Sequence, residues 1–282
     1  MKKYDIIHAY NATPIHAMLS GKPYLAQTGG DELRIKAFEK SVTGFLLKRA
    51  FKKANQFVYV WPIHKPFVKK LQIKNPLYLP RIWDTQNFEK TGKHNPDPEK
   101  LTILLPTAEI WKTKGNEKFL QAFVKICKEI KNIFLYFIDW GPDSGKAKVL
   151  LKTPIKDGLV EIISGPISRE KMSEYMEKSD LLVDQFNSGS FTRMAIEAFK
   201  FGIPILINLD EDLHKDLHGE SPPVINVCNE EQIYLKLKEL CDSKTVLEKI
   251  GEDAKQWASK NFDLQKNVDR YVEIYERILK TK

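Results

Sequence analysis

A single carboxylate, Glu197, sits inside the stretch "SGSFTRMAIEAFKFGIPILIN", residues 188–208. The stretch reads as a polar, glycine-containing loop, a helix, a glycine stop and a short apolar strand. Arg193 is four residues before Glu197 and Lys200 three after it, so the three charges share one helix face. Two kinds of chemistry suit that spacing. One is a charged surface stripe, worth about 0.2–0.5 kcal/mol per pair. The other is a carboxylate aimed at a ligand, because a loop leading into a helix offers N–H groups and a partial positive charge to an anion.

Other chemistry-bearing residues fit known sites less well. "GPDSGKA", residues 141–147, has only three residues between its glycines, and Ala147 stands where a phosphate-binding P-loop would hold magnesium through Ser or Thr. "HKDLH", residues 214–218, has a metal-like i, i+4 histidine pair but lacks the glutamate after the first histidine, and reads as part of a charged loop. Asp210 to Asp212 follows an apolar run and has the charge to hold a divalent cation, but reads rather as an acidic surface loop. No G-x-G-x-x-G is present, and no serine or cysteine carries a nucleophile signature. Cys127, Cys228 and Cys241 are odd in number and far apart, which suits reduced thiols of a cytoplasmic protein rather than a disulfide framework or a zinc site.

The elements that must position these residues alternate along the chain. Ten short apolar runs read as strands: "YDIIHAY", "PYLAQT", "QFVYV", "PLYLP", "LTILLP", "IFLYFID", "VEIIS", "LLVDQF", "PILIN" and "VINV". Most are continuous, as in strands buried on both faces of a parallel sheet. Helical patterns lie between them, for example over 118–130, 170–178 and 230–241. The rhythm predicts a doubly wound α/β architecture. The polar, proline-containing segment 89–100 reads as a linker. The parts on either side echo each other: "HAMLSGKPYLAQTGG" and "IEAFKFGIPILINLD" both run helix, glycine stop, one residue, proline, strand. Two Rossmann-like units are therefore expected. Ligands belong beyond the carboxyl ends of the strands, in the loops that hold Trp111, Lys112 and Lys114, then "WGPDSGK", "GPIS" and "NSGS".

Composition narrows the classes of partner. The 282 residues are 42% hydrophobic and 29% charged, with a net charge of +8, which is a soluble, globular balance. The charge suits nucleic acid, anionic lipid or a phosphorylated substrate. Nucleic acid is disfavoured because no arginine-rich run or nucleic-acid module is present. The opening "MKKYDIIHAY" lacks the apolar core of a signal peptide, and no run approaches the roughly 18–20 apolar residues that span a bilayer.

Taken together, the motifs resemble those of glycosyltransferase family 4 (glycosyl transferases group 1), which has the GT-B fold. "YDIIHAY" is similar to its D-I-I-H-A strand, and "SGKPYLAQTGGDELR" to its G-K-P strand followed by H-G-x-D. "LYLPRIWDTQNF" resembles the segment ending in D-x-x-x-F, and "KGNEKFLQAF" resembles K-G-x-x-x-L-I-x-A-F. "KSDLLVDQF" resembles the A-D strand before the donor loop, and "NFDLQKNVDRYVEIYERIL" the closing helix.

The resemblance implies an α/β chain of two Rossmann-like parallel-sheet domains, the N-terminal one truncated. Residues 1–90 would form the acceptor side and 97–259 the donor side, with 260–282 a helix returning towards the first domain. It implies a cytoplasmic enzyme that moves a sugar from a nucleoside diphosphate sugar to a hydroxyl, with retention and without a metal or other cofactor. Glu197 would accept from the donor ribose, Lys114 would neutralise the diphosphate, and Ser190, Phe191 and Thr192 would form the donor loop. The catalytic residue is unassigned, with Asp31, the aspartate of H-G-x-D, as candidate. The acceptor would be a saccharide, a lipid-linked group or another hydroxyl, and a peripheral membrane contact is compatible with it.

Four departures mark the chain. Gly189 stands at the first glutamate of E-x7-E, Ala108 or Glu109 at the arginine partner of Lys114, and Thr28 at the histidine of H-G-x-D. The chain also opens at a strand midway through the family's first domain. Its first sheet should then have an open edge, and pairing with a second copy or subunit is expected there. Two further readings are a non-catalytic glycosyltransferase-like protein that binds a nucleotide or serves a partner chain as a scaffold, and a sugar-nucleotide epimerase of the same fold.

Overall fold

The computed structural model describes residues 3–81 and 95–280. The part of the D-x-x-x-F match beyond Arg81, and residues 89–94 of the expected linker, lie outside the described residues. The ten apolar runs form ten strands in two all-parallel sheets. The chain divides into two compact units, Met1–Asp84 with Asn261–Lys282, and Thr85–Lys260.

In the first unit β1 (Ile7–Tyr10), β2 (Tyr24–Thr28), β3 (Gln56–Tyr59) and β4 (Pro76–Tyr78) lie side by side in chain order. Among the described residues β1 has one strand partner, β2. The helix Leu264–Lys280 belongs to this unit, because Tyr271, Ile274 and Ile278 recur at helical spacing and pack on Leu25, Val58, Val60 and Leu79. Polar ties add register: Tyr271 Oη donates to Gln27 Oε1 at 2.9 Å, Tyr275 Oη lies 2.6 Å from His8 Nδ1, and Arg277 Nη2 donates to Gln56 Oε1 at 2.9 Å.

The second unit holds β5 (Leu101–Leu105), β6 (Ile133–Asp139), β7 (Val160–Ser164), β8 (Leu181–Val183), β9 (Ile205–Ile207) and β10 (Ile225–Asn226). Their order in the sheet is β10-β9-β8-β5-β6-β7. Every residue of β5, β8 and β9 is buried, as expected of central strands covered on both faces. The run "VEIIS" departs from that expectation: Val160 and Ile163 are buried while Glu161 and Ile162 are exposed, because β7 is the edge strand. The helix Asn116–Ile126 lies beside Glu230–Asp242, and Phe119, Leu120 and Phe123 join β5 and β6 in the core. From β5 the chain moves to one side of the sheet, then returns to the other at β8, so the order reverses between these two neighbours. Loops leaving such a reversal diverge and open a crevice.

One element differs in kind from the sequence reading. "HKDLH" lies on the helix Glu211–His218, capped by Asp210, whose side chain accepts from Leu213 N–H at 3.0 Å. The charges that suggested a loop occupy its outer face, and His214 faces inward, fully buried.

Candidate functional site

The loops after β5 and β8 meet at the reversal point. The chain leaves β8 through Asp184 and Gln185, runs through Phe186–Thr192, and enters the helix Arg193–Phe201. Asp184 is completely buried at the base of this loop. Its carboxylate accepts from Thr192 N–H at 2.7 Å and from Thr192 Oγ1 at 2.8 Å. Thr192 in turn caps the helix, its Oγ1 accepting from Met194 N–H at 3.2 Å. Burial pushes the Asp184 carboxyl up to about 6, against the pull of the Thr192 N–H, the Lys114 charge and the Thr192 hydroxyl.

Lys114 ends the short helix Trp111–Lys114 after β5. Its Nζ donates to Gln185 Oε1 at 2.9 Å, and its carbonyl accepts from Phe186 N–H at 2.6 Å. The Gln185 amide also donates from Nε2 to the Ser190 carbonyl, so one side chain ties the lysine to the glycine loop. Gly115 allows this approach. Its φ is +71°, and a Cβ there would lie 2.6 Å from Asn187 Oδ1. Lys118 adds a second cation to the loop's flank, donating to Asn187 Oδ1 at 2.8 Å. Lys114, Ser190, Phe191 and Thr192 are thus brought together, with Ser190 and Phe191 buried.

Glu197 stands one turn inside the helix. It forms the expected pair with Arg193, Nε to Oε1 at 2.6 Å, but the carboxylate is only 3% exposed. A solvated surface stripe does not describe it. Asp31 lies in the other unit, exposed and paired with Arg34 Nη2 at 2.5 Å.

Two of the departures acquire physical reasons. Gly189 has φ +69°, its carbonyl accepts from Asp210 N–H at 2.9 Å just beyond β9, and a Cβ would approach Asp210 Cβ to 3.3 Å. A glutamate there would be strained before it reached any ligand. Glu109 is fully buried and points at its own loop: Trp111 Nε1 donates to Oε2 at 2.8 Å and Asn116 Nδ2 to Oε1 at 3.0 Å. Burial raises its carboxyl above the usual range, opposed by the Asn116 and Trp111 hydrogen bonds. It acts as an internal tie rather than half of a cationic clamp.

Sequence reasoning passed over Asp184, Gln185, Asn116 and Glu109 as site-building residues. The available signal was an acid and an amide directly after an apolar run in "LLVDQF", a position that cannot be solvated when the strand is central. It also passed over the aromatic group behind the loop, where Phe191 lies 4.7 Å from His214 and His218 lies 5.0 Å from Trp257, centroid to centroid. Burial, helped by the neighbouring His218, lowers the His214 pKa to about 3.

This architecture, two parallel-sheet units with a glycine loop and a lysine at the reversal point of the second, defines a class. The sequence profile of glycosyl transferases group 1 matches residues 87–257, and the chain belongs to that family. An uncharacterized glycosyltransferase of Methanocaldococcus jannaschii is 23% identical over 241 residues, so the alignment takes in 82% of this chain and 61% of that protein's length. The fold is that of GT-B glycosyltransferases. It is similar to sucrose-phosphate synthase from Thermosynechococcus elongatus, with TM-score 0.76 and 13% identity over 99% of this chain and 75% of that one. It is also similar to HepE of Anabaena in complex with UDP, with TM-score 0.75 and 11% identity over 98% of this chain and 79% of that one. No described helix is long and apolar enough to cross a membrane.

Proposed function

We propose that this chain transfers a sugar from a nucleoside diphosphate sugar to a hydroxyl group, with donor binding in the second unit and acceptor binding in the first. One observation carries the reading: Lys114, the glycine loop and the N-terminus of the helix Arg193–Phe201 converge where the strand order reverses. Family membership gives that convergence a substrate class, and UDP in the complex of the similar HepE structure supports the choice of ligand.

The chemistry follows from where charge develops. As the bond between the anomeric carbon and the diphosphate oxygen breaks, negative charge grows on the departing nucleotide. We assign Lys114 and the helix N-terminus to that charge, since fixed donors beside a departing anion stabilise the transition state. Asp184 is not assigned to the reaction; it holds Thr192 and with it the loop. Glu197, buried in the first turns of the helix, is assigned to the ribose hydroxyls. Charge neutralisation by side chain and backbone suits a metal-independent route, and transfer with retention is the stereochemistry we assign.

The test is calorimetric titration with UDP and GDP, beside hydrolysis of a panel of nucleotide sugars. Binding with slow release of sugar supports the proposal. Tight binding with no sugar release would make the chain a nucleotide-binding scaffold, and no binding by either nucleotide would remove the site. Glu197→Gln should reduce the preference for ribo- over deoxyribonucleotide by about 1 kcal/mol, since a carboxylate acceptor is replaced by a weaker one. Equal preference in wild type and variant would leave Glu197 a purely structural partner of Arg193.

A further inference from the structure

The net charge of the chain is not spread along it. Residues 1–81 hold fifteen Lys and Arg against four Asp and Glu, while the remaining 201 residues hold 30 against 33. The whole positive excess therefore belongs to the first 81 residues, which lie in the first unit. Within it the helix Val42–Lys53 contains no acid and four cations, Lys48, Arg49, Lys52 and Lys53. The nearest carboxylate in sequence, Glu39, lies ahead of the helix N-terminus, away from the basic end.

The helix has two unlike faces. Gly44, Leu47, Ala50 and Phe51 are buried against the unit. On the other side Val42, Phe45, Leu46, Arg49, Lys52 and Lys53 recur at intervals of three or four residues or adjoin one another, so they form one stripe. The stripe is apolar in its first half and cationic in its second. Its apolar residues are not shielded: Val42 is 77% exposed and Phe45 62%. The helix Pro14–Leu19 packs beside it and adds Leu19, 71% exposed, with no acid of its own. A shallow groove of about 460 Å³ lies at the basic half, lined by Phe45, Lys48, Arg49, Lys52 and Lys53.

We propose that this stripe docks the protein on an anionic lipid surface, with Phe45 and Val42 entering the interface and Arg49, Lys52 and Lys53 engaging headgroup phosphates. Charge complementarity and the adjoining apolar residues select this occupant. A polyanion such as nucleic acid satisfies the cations but offers no apolar phase to Val42, Phe45 and Leu19. A bilayer offers both, and an interfacial helix binds through the sum of the two terms. The inference is independent of the donor-site reading, since it uses residues of the first unit only.

The experiment is co-sedimentation with vesicles of phosphatidylcholine alone and of phosphatidylcholine mixed with phosphatidylglycerol. The protein should sediment with the mixed vesicles and stay in solution with the neutral ones. Loss of one cation should lower partitioning roughly fivefold, so Arg49→Glu with Lys52→Glu and Lys53→Glu should lower it by a hundredfold or more. Phe45→Ser with Val42→Ser, which changes exposed positions only, should lower it about tenfold at unchanged charge. Reversal of exposed lysines on the second unit, such as Lys171 and Lys178, should leave it unchanged. Circular dichroism confirms that each variant is folded. The proposal is overturned if mixed vesicles fail to retain the wild type, if both vesicle types retain it equally, or if the serine variant binds as well as wild type. The last outcome, with retention on heparin abolished by salt, would identify a soluble polyanion as the partner.

Discussion

From Thr28, the last residue of β2, the chain runs through Gly29 and Gly30 into a short helix, and Glu32 folds back on the loop. Its Oε1 accepts from the Gly29 N–H at 3.1 Å, the Gly30 N–H at 3.0 Å and the Thr28 hydroxyl. After β8 a second glycine-containing loop enters a helix, but here the buried carboxylate, Asp184, precedes the loop and takes Thr192 at its far end. Both loops are pinned by an acid and a threonine. In the first, the acid occupies the glycine N–H groups, so negative charge already sits where an anion would bind. In the second, the acid lies beneath the loop and Lys114 is brought alongside through Gln185. The difference teaches that a glycine loop at a strand end is not by itself an anion site. What matters is which side of the loop its own carboxylate occupies.

Removing the two acids should separate the roles most strongly. Glu32→Ala leaves three donors without their acceptor, and a loss of about 3 kcal/mol in urea unfolding is expected, with UDP affinity unchanged. A fall in nucleotide affinity of the folded variant would break the contrast between the loops. Asp184→Asn sharpens it through pH. The buried Asp184 carboxyl, raised to about 6, keeps its proton in the folded state where the unfolded chain, with an ordinary value near 3.9, has released it. The folded state therefore loses stability relative to the unfolded as pH rises from about 4 to about 6. Wild type should lose about 2–3 kcal/mol relative to Asp184→Asn across that window, read from unfolding at stepped pH. Parallel curves would mean that the carboxylate is better solvated than its position indicates.

Lys114→Ala should weaken UDP or GDP binding by roughly 1–3 kcal/mol, the range for a charge-assisted contact. Isothermal titration of a folded variant decides it, and unchanged affinity would remove Lys114 from the site. The smallest effect is expected behind the loop. His214→Phe replaces a fully buried ring, packed on Phe191, by one of similar shape without buried nitrogens. At neutral pH stability should change by less than about 1 kcal/mol. Below pH 6.5 wild type should lose stability faster than the variant, because the unfolded chain takes up a proton that the buried ring, lowered to about 3, refuses. An equal slope for both proteins would show that His214 is not the group responsible.

Much of the framework was legible in the residues alone. Apolar runs, most of them continuous, named all ten strands, because a strand covered on both faces leaves little room for polar side chains. "IEAFKFGIPILI" announced its helix, its left-handed glycine stop and its strand, since each signal is local. The positions of Lys114 and of the glycine loop were legible as well, both lying beyond the ends of strands. Tertiary structure decided the rest. Asp184 and Glu109 differ little in sequence from ordinary loop acids, yet both are fully buried, and only the arrangement of β5 and β8 makes them so. Burial of Glu197 beside Arg193, the choice of Gln185 as the link between Lys114 and Ser190, and the inward turn of His214 all depend on partners distant in sequence or on faces that periodicity leaves open. The physical reason is one of range. Helix caps, glycine stops and strand runs are set by neighbours within a few residues, whereas the environment of a charge is set by whatever the fold brings within a few ångströms of it.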